Sequence, residues 1–215
     1  FPIVHTLEQR KYIMCDAGSG KYRLGLRTYI IGASCTSQSG FEPLINIMNS
    51  VTESTQETSQ FGILEGGNVL YVAKKDSPQA IRMISWVGTK LPANATAIGK
   101  ALLSDLTDEQ IRDLYRDGLP KLTEHTISDM DLLLGQIEHI RCGEIATETE
   151  ESTPQMRCFA VPIRQNGRVD AALSISVPIF RYTDEKRVQI CQCLREAQQQ
   201  IEQLVGLYNF ELIKP

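Results

Sequence analysis

The sequence lacks the features that mark membrane, secreted or disulfide-stapled proteins. Apolar residues make up 42% of its 215 residues but form no run long enough to cross a bilayer, and no signal peptide is recognisable at its start. The six cysteines show none of the spacings of a disulfide framework. The three histidines lie in no metal or catalytic motif. We therefore expect a cytoplasmic protein with reduced thiols, whose core is large enough to fold without metals or disulfides.

Charge is nearly balanced over the whole chain but not along it. The net charge is −4, yet residues 1–27 hold five of the 22 basic side chains and only two of the 26 acidic ones. These basic residues are Arg10, Lys11, Lys21, Arg23 and Arg27. A basic end on an acidic body favours a polyanionic partner at the N-terminal end, although an ordinary surface fluctuation explains so small an excess equally well.

Apolar spacing and turn residues predict mixed α and β structure. Helices are predicted at the start of the chain and over residues 26–35, 42–54, 129–141 and 184–208, from apolar spacings of three and four. A further helix is expected to begin at Thr107, which forms a capping box with Gln110. Strands are predicted on both sides of a turn at 16–20 and over 57–64, 69–75, 80–88, 144–151 and 156–177. Because strands and helices do not alternate regularly, we expect an α+β domain with an antiparallel sheet and helices outside it.

Residues 156–177 predict a hairpin whose turn lies at Gln165-Asn166-Gly167. The loop has either two residues, Asn-Gly, or three, with Gly167 as a left-handed bulge. The three-residue loop keeps the large side chains of the hairpin on one face, as a half-buried sheet requires. It also sets Cys158 opposite Ser174, and Met156 opposite Ser176.

The other face of this hairpin is small and hydroxylated. It consists of Met156, Cys158, Ala160, Ala172, Ser174 and Ser176. Hydroxyl and thiol groups beside open space are typical of a pocket for a small polar molecule. A helix packed closely on the small side chains, with each hydroxyl bonded to the backbone, would explain the same pattern.

Four blocks, in this order, resemble the IclR family of bacterial transcription regulators. They are KYRLG at 21–25, LPANATAIGKALLS at 91–104, EE at 150–151 and CFAVPIRQNGRVDAALSISVP at 158–178. The resemblance covers essentially the whole chain. It implies a DNA-binding winged helix-turn-helix, a linker helix and a GAF-like effector-binding domain. Residues 1–24 would be a remnant of the winged helix (the end of the recognition helix and the wing), residues 25–40 the linker, and 41–215 the effector domain.

The resemblance also implies the positions of the binding residues. Effector-binding positions carried over by motif are Met83, Ala97, Ile98, Glu148, Cys158, Ser174 and Ser176. Glu148 results from counting back from Cys158, whereas counting forward from Gly143 gives Thr147. Arg10, Lys11, Lys21 and Arg23 would meet DNA phosphates. A helix that starts near Thr96 suits a carboxylate, so the expected effector is a small organic acid.

The expected partners are operator DNA and further copies of the chain, as a homodimer or tetramer. We expect no cofactor, no metal site and no catalytic residue. A cysteine-dependent enzyme using Cys158 is one alternative, but no base is in evidence around this residue. A GAF-type small-molecule sensor outside transcription is the other. The acidic residues Glu148, Glu150 and Glu151 are interpreted as a solvated edge strand rather than a cation site.

Overall fold

The computed structural model describes residues 2–38 and 41–208. The last two residues of the predicted linker and the last seven of the predicted effector domain lie outside these ranges. The helices are α1 (Pro2–Gln9), α2 (Leu26–Gln38), α3 (Phe41–Thr55), α4 (Ala97–Leu103), α5 (Asp108–Leu114), α6 (Met130–Arg141) and α7 (Asp184–Tyr208). The strands are β1 (Ile13–Cys15), β2 (Tyr22–Leu24), β3 (Thr58–Glu65), β4 (Asn68–Lys75), β5 (Lys90–Pro92), β6 (Ala146–Thr149), β7 (Met156–Gln165) and β8 (Arg168–Pro178).

The chain forms two compact units, which divide between Leu44 and Ile45. The first contains α1, the antiparallel hairpin β1–β2 and α2. Its hairpin turn is organised by Asp16, whose carboxylate accepts hydrogen bonds from the backbone N–H groups of Gly18 and Ser19 at 3.1 and 2.8 Å. The helix and the hairpin predicted from the sequence for this part of the chain are therefore present.

The second unit is built on a six-stranded antiparallel sheet in the order β5-β4-β3-β8-β7-β6. Helices pack outside it, which confirms the predicted α+β fold with an antiparallel sheet. The β3–β4 turn has Gly66 and Gly67 at φ of +54° and +79°, a conformation that glycine adopts without strain. No helix among the described residues is both long and apolar enough to cross a membrane.

The β7–β8 hairpin corrects the predicted turn. Gln165 pairs with Arg168, so the loop has two residues, Asn166 and Gly167, both at positive φ. A β-bulge then occurs in β8, because Arg164 pairs with Val169 but Ile163 pairs with Ala171. The predicted three-residue loop is therefore wrong. The large side chains still share one face, because Asp170 is an extra residue in β8 that restores the alternation beyond the bulge.

Residues 80–88 are a loop, so the strand predicted there is also wrong. The paired strand in this region is the short β5, next to β4. In the loop, backbone carbonyls of Met83 and Ser85 accept hydrogen bonds from the Lys74 ammonium group rather than from a strand. The apolar residues of this stretch therefore belong to a loop that the Lys74 side chain holds in place.

The two faces of the sheet carry different helices. The long helix α7 packs against β7 and β8 on the face of the large side chains and buries Ile190, Leu194, Ala197 and Ile201. Helix α4 packs on the other face, where Ala97 and Ile98 join Cys158, Ala160 and Ala172 in one apolar cluster. The small side chains of β7 and β8 therefore admit a close helix, and the polar groups of this face are buried beneath it.

The predicted cap of α5 is present, whereas α6 is capped one residue later than Ser128, the start that the sequence predicted. Thr107 accepts a hydrogen bond from the Gln110 N–H, and the Gln110 side chain accepts one from the Thr107 N–H, which completes the capping box of α5. Helix α6 is capped by Asp129, whose carboxylate accepts hydrogen bonds from the N–H groups of Asp131 and Leu132. Both helices begin within one residue of the expected positions.

Candidate effector site

The hydrogen-bonded centre of the small face is formed by Cys158 and Ser176. They lie directly opposite each other on β7 and β8, and the thiol donates to the Ser176 hydroxyl at 3.3 Å. The predicted partners were different: Ser174 lies opposite Ala160 rather than Cys158. Met156 lies opposite Pro178 and not opposite Ser176. The two-residue loop with its bulge causes this displacement of two residues and leaves the faces unchanged.

Gln60 on β3 extends this polar centre toward the neighbouring strand and loop. Its side-chain oxygen accepts the Ser176 hydroxyl at 3.0 Å, and its side-chain nitrogen donates to the Ser85 hydroxyl at 2.6 Å. The residue is 2% exposed. The sequence motifs did not single out Gln60, because its place beside Ser174 depends on the pairing of β3 with β8.

Ser174 differs from Ser176 in its hydrogen bonding. Both side chains are buried on the same face of β8. The Ser176 hydroxyl has two partners, whereas the Ser174 hydroxyl makes no hydrogen bond to any residue that the structure describes. The only hydroxyl of this pair that is ready for a new partner is therefore that of Ser174.

Glu148 lies opposite Cys158 on β6 and is 2% exposed, whereas the side chain of Thr147 points to solvent. Its carboxylate accepts hydrogen bonds from the Glu151 N–H at 2.8 Å and the Ser152 hydroxyl at 3.0 Å. Burial raises the pKa of Glu148 despite these bonds. Counting back from Cys158 therefore identifies the residue that faces it, and the extra residue lies between Gly143 and Glu148.

The interpretation of the acidic residues as a solvated edge is wrong for two of the three. Glu148 faces the sheet's small side, and Glu151 forms an ion pair of 2.5 Å with Lys100 of α4, whose side chain is fully buried. Glu150 alone is partly exposed and accepts hydrogen bonds from Gln155. The Lys100–Glu151 pair connects α4 to the end of β6, and its spacing of 51 residues hid it from sequence reasoning.

The start of α4 lies on the same face. Thr96 caps the helix by accepting the Gly99 N–H at 3.0 Å. A Cβ on Gly99 would come within 2.2 Å of the Ala93 carbonyl oxygen, so only glycine permits this approach. Ala97 and Ile98 are each 1% exposed and pack in the apolar cluster. These two predicted site residues therefore contribute apolar surface.

Met83 lies elsewhere, on the loop of residues 76–89. An open cavity of about 530 Å³ is lined by Lys74, Asp76 and residues 82–87. Met83 is buried beside it, whereas the neighbouring Ile84 and Trp86 are 78% and 73% exposed. The other six predicted effector residues do not line this cavity. Gln60 connects the two places, because Ser85 of the cavity wall bonds to it.

The thiol of Cys158 is not set up as a nucleophile. Burial and the neighbouring Glu148 raise its pKa well above the ordinary value. His125 and His139 lie beside surface carboxylates instead. The predicted DNA-contacting residues, Arg10, Lys11, Lys21 and Arg23, are all exposed in the first unit.

Comparison with sequence families and curated proteins gives one consistent result. Residues 41–203 match the family model described as bacterial transcriptional regulator IclR C-terminal. The chain is 29% identical over 213 residues to the HTH-type transcriptional regulator KdgR of Dickeya chrysanthemi, covering 98% of this chain and 70% of that protein. It is 29% identical over 202 residues to the HTH-type regulator BhcR of Paracoccus denitrificans, covering 93% and 72%.

Solved structures share the fold. The IclR transcriptional regulator of Alicyclobacillus acidocaldarius has a TM-score of 0.87 at 22% identity and covers 95% of this chain and 84% of its own. A regulator from Rhodococcus sp. RHA1 has a TM-score of 0.80 at 29% identity, covering 94% and 82%. An IclR homologue from Microbacterium hydrocarbonoxydans, complexed with 4-hydroxybenzoate, has a TM-score of 0.79 at 22% identity, covering 94% and 82%.

Proposed function

The chain belongs to the IclR family of bacterial transcriptional regulators, and we propose that its second unit binds a small organic acid that alters the binding of operator DNA. The buried polar group of Cys158, Ser176 and Gln60 carries this proposal. Polar side chains that converge on one buried face are the kind of groups that orient a ligand in a pocket.

We assign the effector site to the small face of the sheet and the loop beside it. Its proposed residues are Met83, Ala97, Ile98, Glu148, Cys158, Ser174 and Ser176. Hydroxyl groups would bond ligand oxygens. The adjoining cavity would supply one net positive charge for a carboxylate, because Lys74 and Arg82 share Asp76 as their ion-pair partner. The complex of the Microbacterium homologue with 4-hydroxybenzoate supports an aromatic hydroxy acid as one candidate, since the two proteins share a fold.

We propose that residues 1–24 are the end of the recognition helix and the wing of a DNA-binding domain, residues 25–40 the linker, and 41–215 the effector domain. Arg10, Lys11, Lys21 and Arg23 would contact phosphates. Such contacts are non-specific and weaken steeply with salt. This chain should therefore bind DNA in a salt-sensitive way with little sequence preference. Sequence-specific binding that persists at physiological salt would contradict this division of the chain.

We also propose a homodimer or tetramer, since palindromic operators call for two-fold symmetry. Helix α2 supports assembly, because four of its apolar side chains are more than half exposed. They are Leu26 (66%), Tyr29 (74%), Ile30 (51%) and Ile31 (52%). Light scattering should give a multiple of 24.1 kDa, and a monomer at all workable concentrations would contradict assembly.

The two alternatives are less well supported. An enzyme that uses Cys158 would need a thiolate, but the raised pKa keeps the thiol protonated. A sensor outside transcription would not explain why the curated relatives over nearly the whole chain are named HTH-type regulators. The exposed basic residues of the first unit also favour a DNA partner.

A thermal-shift screen of organic acids, with 4-hydroxybenzoate included, tests the effector site. An acid at a hundredfold over its Kd stabilises a protein by about 2.7 kcal/mol, which raises Tm by about 5–10 °C for a domain of this size. Ser174→Val should abolish most of this shift because a ligand oxygen loses its partner. If the shift survives in both Ser174→Val and Ser176→Val, the site lies elsewhere.

A further inference from the structure

Gln60 joins the floor of the proposed effector site to the loop of residues 76–89. Its buried carboxamide uses both ends: the oxygen accepts from Ser176 and the nitrogen donates to Ser85. The two bonds are made by opposite ends of one planar carboxamide, so the group cannot turn toward a new partner at one end without moving the other end. The Ser176 bond and the Ser85 bond are therefore made by one rigid group.

The two ends of the loop are anchored, because the Ser77 hydroxyl donates to the Gln56 carbonyl at 2.6 Å and the Tyr71 N–H donates to the Thr89 carbonyl at 3.1 Å. The middle of the loop has few further bonds to the sheet. Lys74 donates to the carbonyl oxygens of Ser85 and Met83 at 2.9 and 3.4 Å, and the Gly88 N–H donates to the Tyr71 carbonyl at 2.7 Å. Its side chains Ile81, Ile84, Trp86 and Val87 are all at least 60% exposed. A segment with so little buried apolar surface opens easily, so each of these hydrogen bonds has a measurable share in its position.

We infer that Gln60 is a positioning residue that makes the conformation of the 76–89 loop depend on the hydrogen bonding of Ser176. The inference rests on the effector site proposed above. A ligand oxygen that engages the Ser176 hydroxyl competes with Gln60 for it. The carboxamide must then turn toward another partner, and because the group is rigid, its bond to Ser85 changes as well. Binding of a ligand at the buried face of the sheet thereby changes the conformation of the loop and of its exposed apolar side chains.

Amide hydrogen exchange of residues 79–88 in the unliganded full chain tests the first link. Gln60→Leu and Ser85→Ala should each speed this exchange about fivefold, the effect of losing one hydrogen bond. Combining the two should add little, because both remove the same bond. The anisotropy of Trp86, the only tryptophan in the sequence, should fall in the same variants. Ser85→Ala alone decides this step if Gln60→Leu fails to fold.

Gln198→Leu is the matched control. Gln198 is also a buried glutamine, and its side chain donates to the Pro162 carbonyl at 2.7 Å, but it lies on α7 and makes no described bond to the loop. Its substitution should lower the free energy of global unfolding, but it should not speed the exchange of residues 79–88 that occurs by local opening of the loop. Equal acceleration in Gln198→Leu and Gln60→Leu would overturn the inference.

Ser176→Val tests the second link. It should speed loop exchange in the wild-type background and have no further effect in Gln60→Leu, because the signal passes through the carboxamide. Additive effects of the two substitutions, or a loop unaffected by Ser176→Val, would refute the coupling. If either outcome occurs while an organic acid still raises Tm, only the coupling is refuted and the proposed effector site stands. If no organic acid raises Tm, the proposed effector site itself is refuted.

Discussion

The thiol of Cys158 and the hydroxyl of Ser176 are hydrogen-bonded across two central strands of the sheet, 3.3 Å apart. The Ser176 hydroxyl in turn donates a hydrogen bond to the side-chain oxygen of Gln60, so three polar side chains satisfy one another in the interior. Ser174, two residues earlier on the same face, has a hydroxyl outside this chain of bonds. Two neighbouring serines of similar burial therefore have different roles in the unliganded protein.

The two serines should respond differently to alanine substitution. Ser176→Ala leaves the buried oxygen of Gln60 without a donor and should lower the free energy of unfolding by about 1–3 kcal/mol. Ser174→Ala breaks no described hydrogen bond and should change it by less than about 0.5 kcal/mol. Urea denaturation of both variants measures the difference. Equal losses would mean that the hydrogen bonds of Ser176 contribute nothing to stability.

Cys158 should resist alkylation while the fold is intact. Its thiol is buried and its pKa is raised, so neither access nor thiolate is available. Cys15 and Cys142 are exposed and should react with iodoacetamide at mildly alkaline pH. Peptide mass spectrometry after brief labelling reports each site. Labelling of Cys158 as fast as Cys142 in folded protein would instead support a reactive thiol.

Glu148 should make stability depend on pH. Its folded pKa is raised from the ordinary value of 4.5, chiefly by burial, so the folded state holds the proton more tightly than the unfolded chain. The stabilisation from this proton is complete below the unfolded pKa and is lost as pH rises through the folded pKa.

Glu148→Gln cannot titrate, so the variant should gain stability relative to the wild type over that rise. Urea denaturation from pH 4 to pH 8 measures the two curves. Glu144→Gln, at an exposed residue, serves as the control for a lost surface charge. Parallel curves for Glu148→Gln and the wild type would contradict the buried, proton-favouring environment.

Replacing only one partner of the buried Lys100–Glu151 ion pair should strongly lower the free energy of unfolding. Lys100→Met leaves the Glu151 carboxylate buried without its cation, and we expect a loss of about 3–5 kcal/mol. The double variant Lys100→Met/Glu151→Leu should recover much of this loss, since it buries no unpaired charge. A double variant as unstable as Lys100→Met would show that the ion pair itself, rather than the orphaned carboxylate, dominates.

The sequence predicted the α+β fold and most of its elements because these depend on local signals. The capping box of Thr107 and Gln110, the glycine turn at 66–67 and the apolar stripe of α7 are each set by residues close in the chain. The prediction of the β7–β8 turn was wrong because it assumed regular strands. Parity of the side-chain pattern excludes a two-residue loop only if the strands are regular, and the bulge at Asp170 removes that condition.

The polar interior was less predictable. Gln60, Lys100 and Glu151 acquire their roles from strand order and from partners 51 to 116 residues away. A lysine is ordinarily a surface residue. The apolar neighbours of Lys100 in α4 indicate a buried helix, but they do not show which carboxylate pairs with the lysine. The loop at 80–88 resembled a strand because it is rich in apolar side chains, and the sequence does not show that four of them, Ile81, Ile84, Trp86 and Val87, are exposed.

The bulge in β8 also has an evolutionary consequence. Removing Asp170 would straighten the strand while Ile163 still faced Ala171, and Cys158 would still face Ser176. A single-residue deletion at this point therefore leaves the cross-strand pairing of every residue farther from the turn unchanged. Relatives are free to differ in length there, and an alignment that moves the gap into either strand would assign the wrong serine as the neighbour of the cysteine. Comparisons of ligand specificity across the family should anchor the gap at the bulge.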